Sequence, residues 1–366
     1  VLDDGWFGER NNDDCSLGDW FVNEEKLKGG LNSLATDINK MGMQFGLWFE
    51  PEMISPKSKL YEEHPDWCIH IDGRIRSEAR KQLILDLSRD EVCEAVIKMI
   101  TDVLKSAPIS YVKWDMNRNM TEIGSTAWPA KKQKEIAHRY MLGLYKILEN
   151  ITSNFPNILF ESCSGGGGRF DGGMLYYMPQ TWTSDDTDAI ERLMIQEGTS
   201  LVYPTSSMGS HVSAVPNHQV HRITPLNTRG VVAMAGSFGY ELDVTKMNEE
   251  EKEEVKKQVE FYKNIRSTVQ FGDLYRLKSS FDSNEAAWMN LSKDGKEVVV
   301  SYVKKYAEAN VIPRRLKVKA LDENSLYEVI ETGEVFGGDE LMYIGLEIGE
   351  LMGDYQAKNW TLRKVD

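Results

Sequence analysis

Cysteine is scarce in this sequence and carries no pattern: Cys15, Cys68, Cys93 and Cys163 are scattered over 366 positions without a C-x-x-C pair. That spacing disfavours a zinc site and a disulfide framework, and it suits a reducing compartment, so a cytoplasmic location is expected. Long apolar runs are missing too. No stretch of 18 apolar residues occurs, so no membrane-spanning helix is expected. Positive charge is in deficit, with 43 Lys and Arg against 57 Asp and Glu and a net charge of -14. A surface of that sign repels nucleic acid and anionic membranes, and it leaves a neutral or cationic small molecule as the partner. Internal repeats and low-complexity tracts are absent, and the acidic run Glu249 to Glu254 reads as the solvated start of a helix. The sequence opens at Val1, inside an apolar phrase, with neither an initiator methionine nor a signal peptide, so its natural start is expected upstream.

What is present is a chain of 41% hydrophobic residues, long enough for one large domain and a smaller one. From residue 31 onward, helix-period segments alternate with short strand-like runs, the pattern of parallel βα units. Helices are expected over "LNSLATDINKMG", stopping at Gly42, over residues 90–106, over 131–154, and over "AIERLMIQ". Strands are expected at the fragment ending at Leu2, at "QFGLWFE", "QLILDLS", "SYVKWD", "NILFESC" and "PQTWTSDD", and in the apolar stretch from Leu201 through "HVSAV". That makes about seven parallel strands, close to the eight of a (β/α)8 barrel. The last clear helix has Asn248 as N-cap and Glu251 at N3, a capping box. After it the helical period ends. The expected fold is α/β: residues 1–270 form a (β/α)8 TIM barrel lacking its first strand or strands, and residues 271–366 form a small antiparallel β-sandwich domain.

Chemistry concentrates at predicted strand ends. In "VKWDMNR" the side chains alternate, so Tyr111, Lys113 and Asp115 share the face toward the barrel axis while Val112 and Trp114 pack under the helices. Asp115 then stands at the C-terminal rim, where barrel enzymes place catalytic groups. A cation two residues away on the same face favours its ionised form and a nucleophilic role, although a buried Lys–Asp pair without chemistry has the same pattern. "TWTSDDTDAIERL" clusters Asp185, Asp186 and Asp188 before a helix. One of them is expected to cap that helix, and mutual repulsion is expected to keep another protonated. A protonated and an ionised aspartate on two strand ends are what retaining glycoside hydrolysis requires. Seven of nine Trp precede residue 190, and Trp48 and Trp182 fall at strand ends where rings can wall a sugar pocket.

In this order, "LDDGWFG", "GLWFEPEM", "QLILDLSR", "YVKWDMNR", "ESCSGGGGRFD" and "WTSDDTDAIERL" resemble the α-galactosidases of glycoside hydrolase family 36, the melibiase and raffinose-cleaving type. The resemblance runs from Leu2 to about Leu277, and the β-rich tail fits that family's C-terminal domain. It implies Asp115 as nucleophile and Asp185 as acid/base, with Asp3 and Asp4 binding the 4-OH and 6-OH of galactose. It further implies sugar contacts from Trp48, Arg80, Lys113, Asn117 and Trp182, and a loop near the 2-OH carrying Cys163 and Gly165. No metal or other cofactor is implied. The expected partner is a small-molecule α-galactoside, and the full-length protein is expected to be a homo-oligomer. Family members carry a large N-terminal β-sandwich that this sequence does not contain, so the 366 residues are expected to be a fragment.

Other motifs in the sequence point elsewhere. "GGGG" at 165–168 follows a strand, yet no G-K-[ST] follows for a phosphate cradle. His211, His218 and His221 match no zinc spacing. Glu50 and Glu52 in "FEPEM" are the second choice for a catalytic pair, with Pro51 favouring a turn-shaping role instead. Galactosyl transfer of the raffinose or stachyose synthase type and α-N-acetylgalactosaminidase activity are the alternatives on the same scaffold. A galactose-binding protein without catalysis is the alternative outside enzymes.

Overall fold

The computed structural model describes residues 1–310 and 312–365. It divides into two compact units, Val1–Trp182 and Thr183–Asp366.

The first unit alternates helix and strand. Helix α1 (Gly30–Lys40) ends where Gly42 adopts a left-handed φ of 81°. Strand β1 (Phe45–Phe49) is buried at every position. Helix α2 (Asp90–Ser106) starts with Asp90 and Glu91 in its first turn and has Lys105 in its last, which complements the helix dipole. It buries Val92, Val96, Ile100 and Val103 against β2 (Ile109–Trp114). Helix α3 (Ile136–Asn154) presents Ile136, Tyr140, Leu144, Ile147 and Ile151 at helical spacing, all fully buried. Gly143 on the same helix is required by packing, since a Cβ there would lie 1.8 Å from the Leu87 carbonyl oxygen. Strand β3 (Leu159–Ser162), the short helix α4 (Gly172–Tyr177) and strand β4 (Gln180–Trp182) complete the unit. The strands run parallel in the order β1–β2–β3–β4. Leu2 extends the pairing on the other side of β1 through a parallel bridge to Leu47. Parallel pairing, with Val112 and Trp114 fully buried beside α2 and α3, leaves Lys113 and Asp115 on the inner face as expected.

One expected strand is not part of this sheet. Leu83–Ile84 in "QLILDLS" pairs antiparallel with Met53–Ile54 in a short ribbon, and β1 lies directly beside β2. A continuous apolar run reads the same in either setting. Here the neighbouring backbone groups are satisfied locally, by Leu85 N–H to the Glu52 carbonyl and Ile69 N–H to the Ile84 carbonyl, each at 2.9 Å.

The second unit opens with α5 (Ala189–Ser200) and pairs β5 (Met208–Ser213) in parallel with β6 (Ser237–Glu241), flanked by α6 (Leu226–Ala233). Sequence reasoning missed β6. "SFGYE" has no apolar run, and Gly239 sits there because a Cβ would meet the His211 ring at 3.0 Å. Helix α7 (Glu249–Phe271) carries the expected Asn248–Glu251 capping box. The antiparallel sheet follows: β7 (Asp273–Lys278), β8 (Glu285–Leu291), β9 (Glu297–Lys304), β10 (Leu326–Val329), β11 (Glu334–Gly337) and β12 (Gln356–Val365), in the order β11–β10–β12–β9–β8–β7. Both faces of β9 are covered. Val298, Val300 and Tyr302 enter the sheet's own core, while Val303 packs with Val231 and Val232 of α6. Among the described residues no helix is long and apolar enough to cross a membrane.

Candidate active site

Strand β2 delivers Asp115 to its C-terminal end, where the carboxylate is 5% exposed. The backbone N–H of Asp115 bonds to the Phe49 carbonyl at 2.7 Å, so the rims of β1 and β2 stay in register. Three neutral donors orient the carboxylate. Trp48 Nε1 donates to Oδ2 at 3.1 Å, Asn117 Nδ2 donates to the same oxygen at 2.8 Å, and the Met116 N–H donates to Oδ1 at 2.8 Å. Cys163 follows the end of β3, and its thiol feels the charge of this carboxylate. Burial and then the Asp115 charge push that thiol far above its usual range, so it stands as a neutral group.

Lys113 faces the same interior, but its hydrogen-bonded partner is not Asp115. Its Nζ donates to Asp3 Oδ2 at 3.2 Å. Burial alone would lower the lysine, yet Asp3, with Cys163, Glu161 and Asp115, holds it above the ordinary lysine range. The neighbouring Asp4 carboxylate is gripped by Arg10, with Nη2 to Oδ2 at 2.8 Å and Nε to Oδ1 at 3.0 Å. Arg10 is 3% exposed. The vicinal pair is therefore two anions, each with its own cation, and a bidentate guanidinium contact fixes the plane of Asp4. Sequence reasoning had not singled out Arg10, which lies in an unremarkable polar loop. Its one available signal was a basic residue six positions after two adjacent acids.

Trp48, the indole donor to Asp115, is itself held in place. Its own carbonyl accepts from Trp6 Nε1 at 2.9 Å, and Trp6, Phe7, Trp20 and Phe49 pack around it as an aromatic cluster. Gly165 turns the chain after Cys163 with a φ of 54° and has open space around it. Ser164 ties that turn to the rim of β2 by donating to the Met116 carbonyl at 3.0 Å. Arg80 is exposed on a turn where Arg80 and Lys81 both take positive φ, 52° and 58°. Two consecutive residues of this kind are backbone strain of roughly 1–3 kcal/mol each. Trp182 closes β4 with 3% exposure.

Asp185 lies two residues into the second unit and is exposed. The structure separates its neighbours by role. Asp188 caps α5, accepting from the N–H groups of Ile190 at 2.9 Å and Glu191 at 3.1 Å, and it pairs with Arg222. Asp186 accepts from the Asp188 N–H at 3.0 Å. Glu50 and Glu52, expected as a possible pair, also part company. Glu52 is fully buried, with Arg169 at 2.7 and 2.8 Å, Tyr140 Oη at 2.6 Å and Trp114 Nε1 at 2.9 Å. Burial opposes its charge, yet Arg169 and these donors hold it below the usual carboxylate range, so it is a structural anion. Glu50 lies beside Asp115 on the adjoining rim and accepts from the Asn117 N–H at 2.5 Å.

Against known proteins, the melibiase family profile matches residues 1–272, and that of the glycosyl hydrolase family 36 C-terminal domain matches residues 285–362. The chain belongs to glycoside hydrolase family 36, the melibiases. Alpha-galactosidase AgaA of Geobacillus stearothermophilus is 62% identical over 365 residues, which is all of this chain and 50% of AgaA. Alpha-galactosidase Mel36A of Lactobacillus acidophilus is 51% identical over 366 residues, again 50% of that protein. Solved structures of AgaA variants in complex with raffinose and with stachyose superpose with a TM-score of 0.97 at 61% identity, over 100% of this chain and 51% of theirs. The chain spans about half the length of the curated relatives it matches. With this family the fold is settled as a partial (β/α)8 barrel followed by an antiparallel β domain.

Proposed function

We propose that the protein is a retaining α-galactosidase that removes terminal α-linked galactose from oligosaccharides such as melibiose and raffinose, with Asp115 as nucleophile and Asp185 as acid/base. The observation that carries this reading is the Asp115 carboxylate, oriented by Trp48, Asn117 and Met116 at a strand's C-terminal end. Among the described residues no lysine or arginine nitrogen pairs with it. Neutral donors fix its direction while leaving an oxygen lone pair for carbon. The raffinose- and stachyose-bound relatives support an oligosaccharide substrate. In the first step Asp185 gives its proton to the glycosidic oxygen as Asp115 attacks the anomeric carbon, forming a β-galactosyl ester. Water then opens the ester with Asp185 as base, and α-galactose leaves.

Asp3 and Asp4 suit the axial 4-OH and the 6-OH, because each anion is held by its own cation and accepts from a hydroxyl without drifting. Residues 1–270 are assigned to catalysis and 271–366 to the β domain, a division supported by the two profile matches. A cytoplasmic location and a homo-oligomeric state belong to the same reading, the former supported by four free cysteines, three of them buried. Proton NMR of the intact enzyme acting on a nitrophenyl α-galactoside tests the activity: α-galactose must appear first and mutarotate later. β-Galactose as the first product, or no hydrolysis, would remove this function.

A further inference from the structure

Glu50 is a buried carboxyl at the rim, beside Asp115, that the mechanism above leaves idle. It follows Phe49 at the end of β1, and Phe49 is in register with Trp114 on β2, so Glu50 and Asp115 are next neighbours on paired parallel strands. Both sit on the inner rim and both are buried, Glu50 to 1% exposure and Asp115 to 5%. One residue serves the two. The Asn117 N–H donates to Glu50 Oε1 at 2.5 Å, and the Asn117 side chain donates to Asp115 Oδ2 at 2.8 Å. The other oxygen of Glu50 accepts from Gln82 Nε2 at 3.2 Å.

The charges around Glu50 come from three segments. Asp115 lies beside it on β2, Arg80 stands on the turn that also carries Gln82, and Arg10 reaches it from the N-terminal loop. Neither arginine is within ion-pair distance of Glu50. Arg10 is committed to Asp4, and Arg80 makes no ion pair among the described residues. Two buried carboxyls side by side without a bonded cation do not both carry charge at neutral pH. Asp115 has three hydrogen-bond donors, Trp48, Met116 and Asn117, against two for Glu50, an arrangement that favours placing the charge on Asp115. Burial, and then the Asp115 charge, push the Glu50 carboxyl up to about 8, against the Asn117 N–H and Arg80.

We propose that Glu50 is a positioning residue for the galactosidase reaction: a neutral carboxylic acid that holds Asn117 against the nucleophile while Asp115 passes between carboxylate and ester. This rests on Asp115 being the nucleophile. When Asp115 attacks the anomeric carbon its negative charge passes into a neutral ester, and Glu50 loses the lesser of the two influences that raise it while burial, the larger, remains. When water opens the ester the charge returns, and it returns beside a neutral neighbour rather than a second anion. A permanently charged Glu50 would oppose that return and slow release of galactose.

The test is carbon NMR of the intact enzyme with its glutamate carboxyls labelled, the Glu50 signal being assigned by its loss in Glu50→Gln. In the wild type this signal titrates with a midpoint of about 8, and in Asp115→Asn the midpoint falls by at least about one pH unit. In activity, Glu50→Ala lowers kcat by roughly tenfold or more with KM little changed, and Glu50→Gln recovers most of that loss at neutral pH, because the amide is neutral and keeps the Asn117 contact. A Glu50 midpoint near the ordinary value of about 4.3, or one that ignores Asp115→Asn, overturns the proposal. So does a Glu50→Gln enzyme as poor as Glu50→Ala. If azide rescue of Asp115→Gly fails, the nucleophile assignment falls whatever the NMR shows. If rescue succeeds and Glu50 titrates normally, only the present inference falls.

Discussion

An indole and an amide decide which way Asp115 points. Replacing Trp48 by Phe keeps a ring against the aromatic cluster but removes the Nε1 donor to Oδ2. A hydrogen bond to a charged group is worth about 1.5–3 kcal/mol, so kcat/KM is expected to fall roughly 10- to 100-fold. An enzyme within a factor of about two of wild type would show that the indole orients nothing. Asp185→Ala is expected to cripple cleavage of melibiose or raffinose, whose leaving groups need a proton, and to spare a substrate with a strongly acidic phenol. Equal loss of the glycosylation step for both substrates would shift attention to Asp186. At this scale the sequence was partly legible. Asp115 stands in a short motif that strand alternation places on the inner rim, whereas Asp3 and Asp4 were legible only through the family resemblance. Lys113 was read as a same-face neighbour of Asp115 and does interact with its charge, but spacing along a strand reveals nothing of the segment opposite, where Lys113 finds its hydrogen-bonded partner Asp3. Arg10 was invisible for the same reason.

At the scale of elements, Glu52 and Arg169 join three parts of the first unit. Arg169 comes from the segment after the glycine run, Tyr140 from α3 and Trp114 from β2, and all converge on one buried carboxylate. Removing a single partner leaves an uncompensated buried charge, so Arg169→Met is expected to cost about 3–5 kcal/mol, measured by denaturant unfolding. Glu52→Leu with Arg169→Met recovers much of that loss, since no stranded charge remains. Additive losses in the double variant would contradict this. The depressed Glu52 carboxyl stabilises the fold above its unfolded titration range, and that contribution fades as pH falls through its folded value. The double variant is therefore expected to lose less stability on acidification than the wild type. Helices were the legible elements, because α2 and α3 repeat their buried residues at helical spacing. Strands were less so. "QLILDLS" and a barrel strand present the same apolar run, and "SFGYE" in β6 presents none.

For the whole molecule, net charge and substrate charge make a simple prediction. The chain carries -14, but a galactoside is neutral, so there is no electrostatic steering to screen. The intact enzyme is expected to keep kcat/KM within a factor of about two between roughly 20 and 300 mM salt. A steep fall would mean that a charged substrate is the natural one. The measurement that bears most directly on Asp115 as nucleophile is azide rescue of Asp115→Gly in the intact enzyme. The variant is expected to be inactive on nitrophenyl α-galactoside and to regain turnover with azide, giving β-galactosyl azide identified by its anomeric coupling in proton NMR. An α-configured azide, or an inactive enzyme that azide leaves unchanged, would contradict the assignment of Asp115 to the face opposite the leaving group.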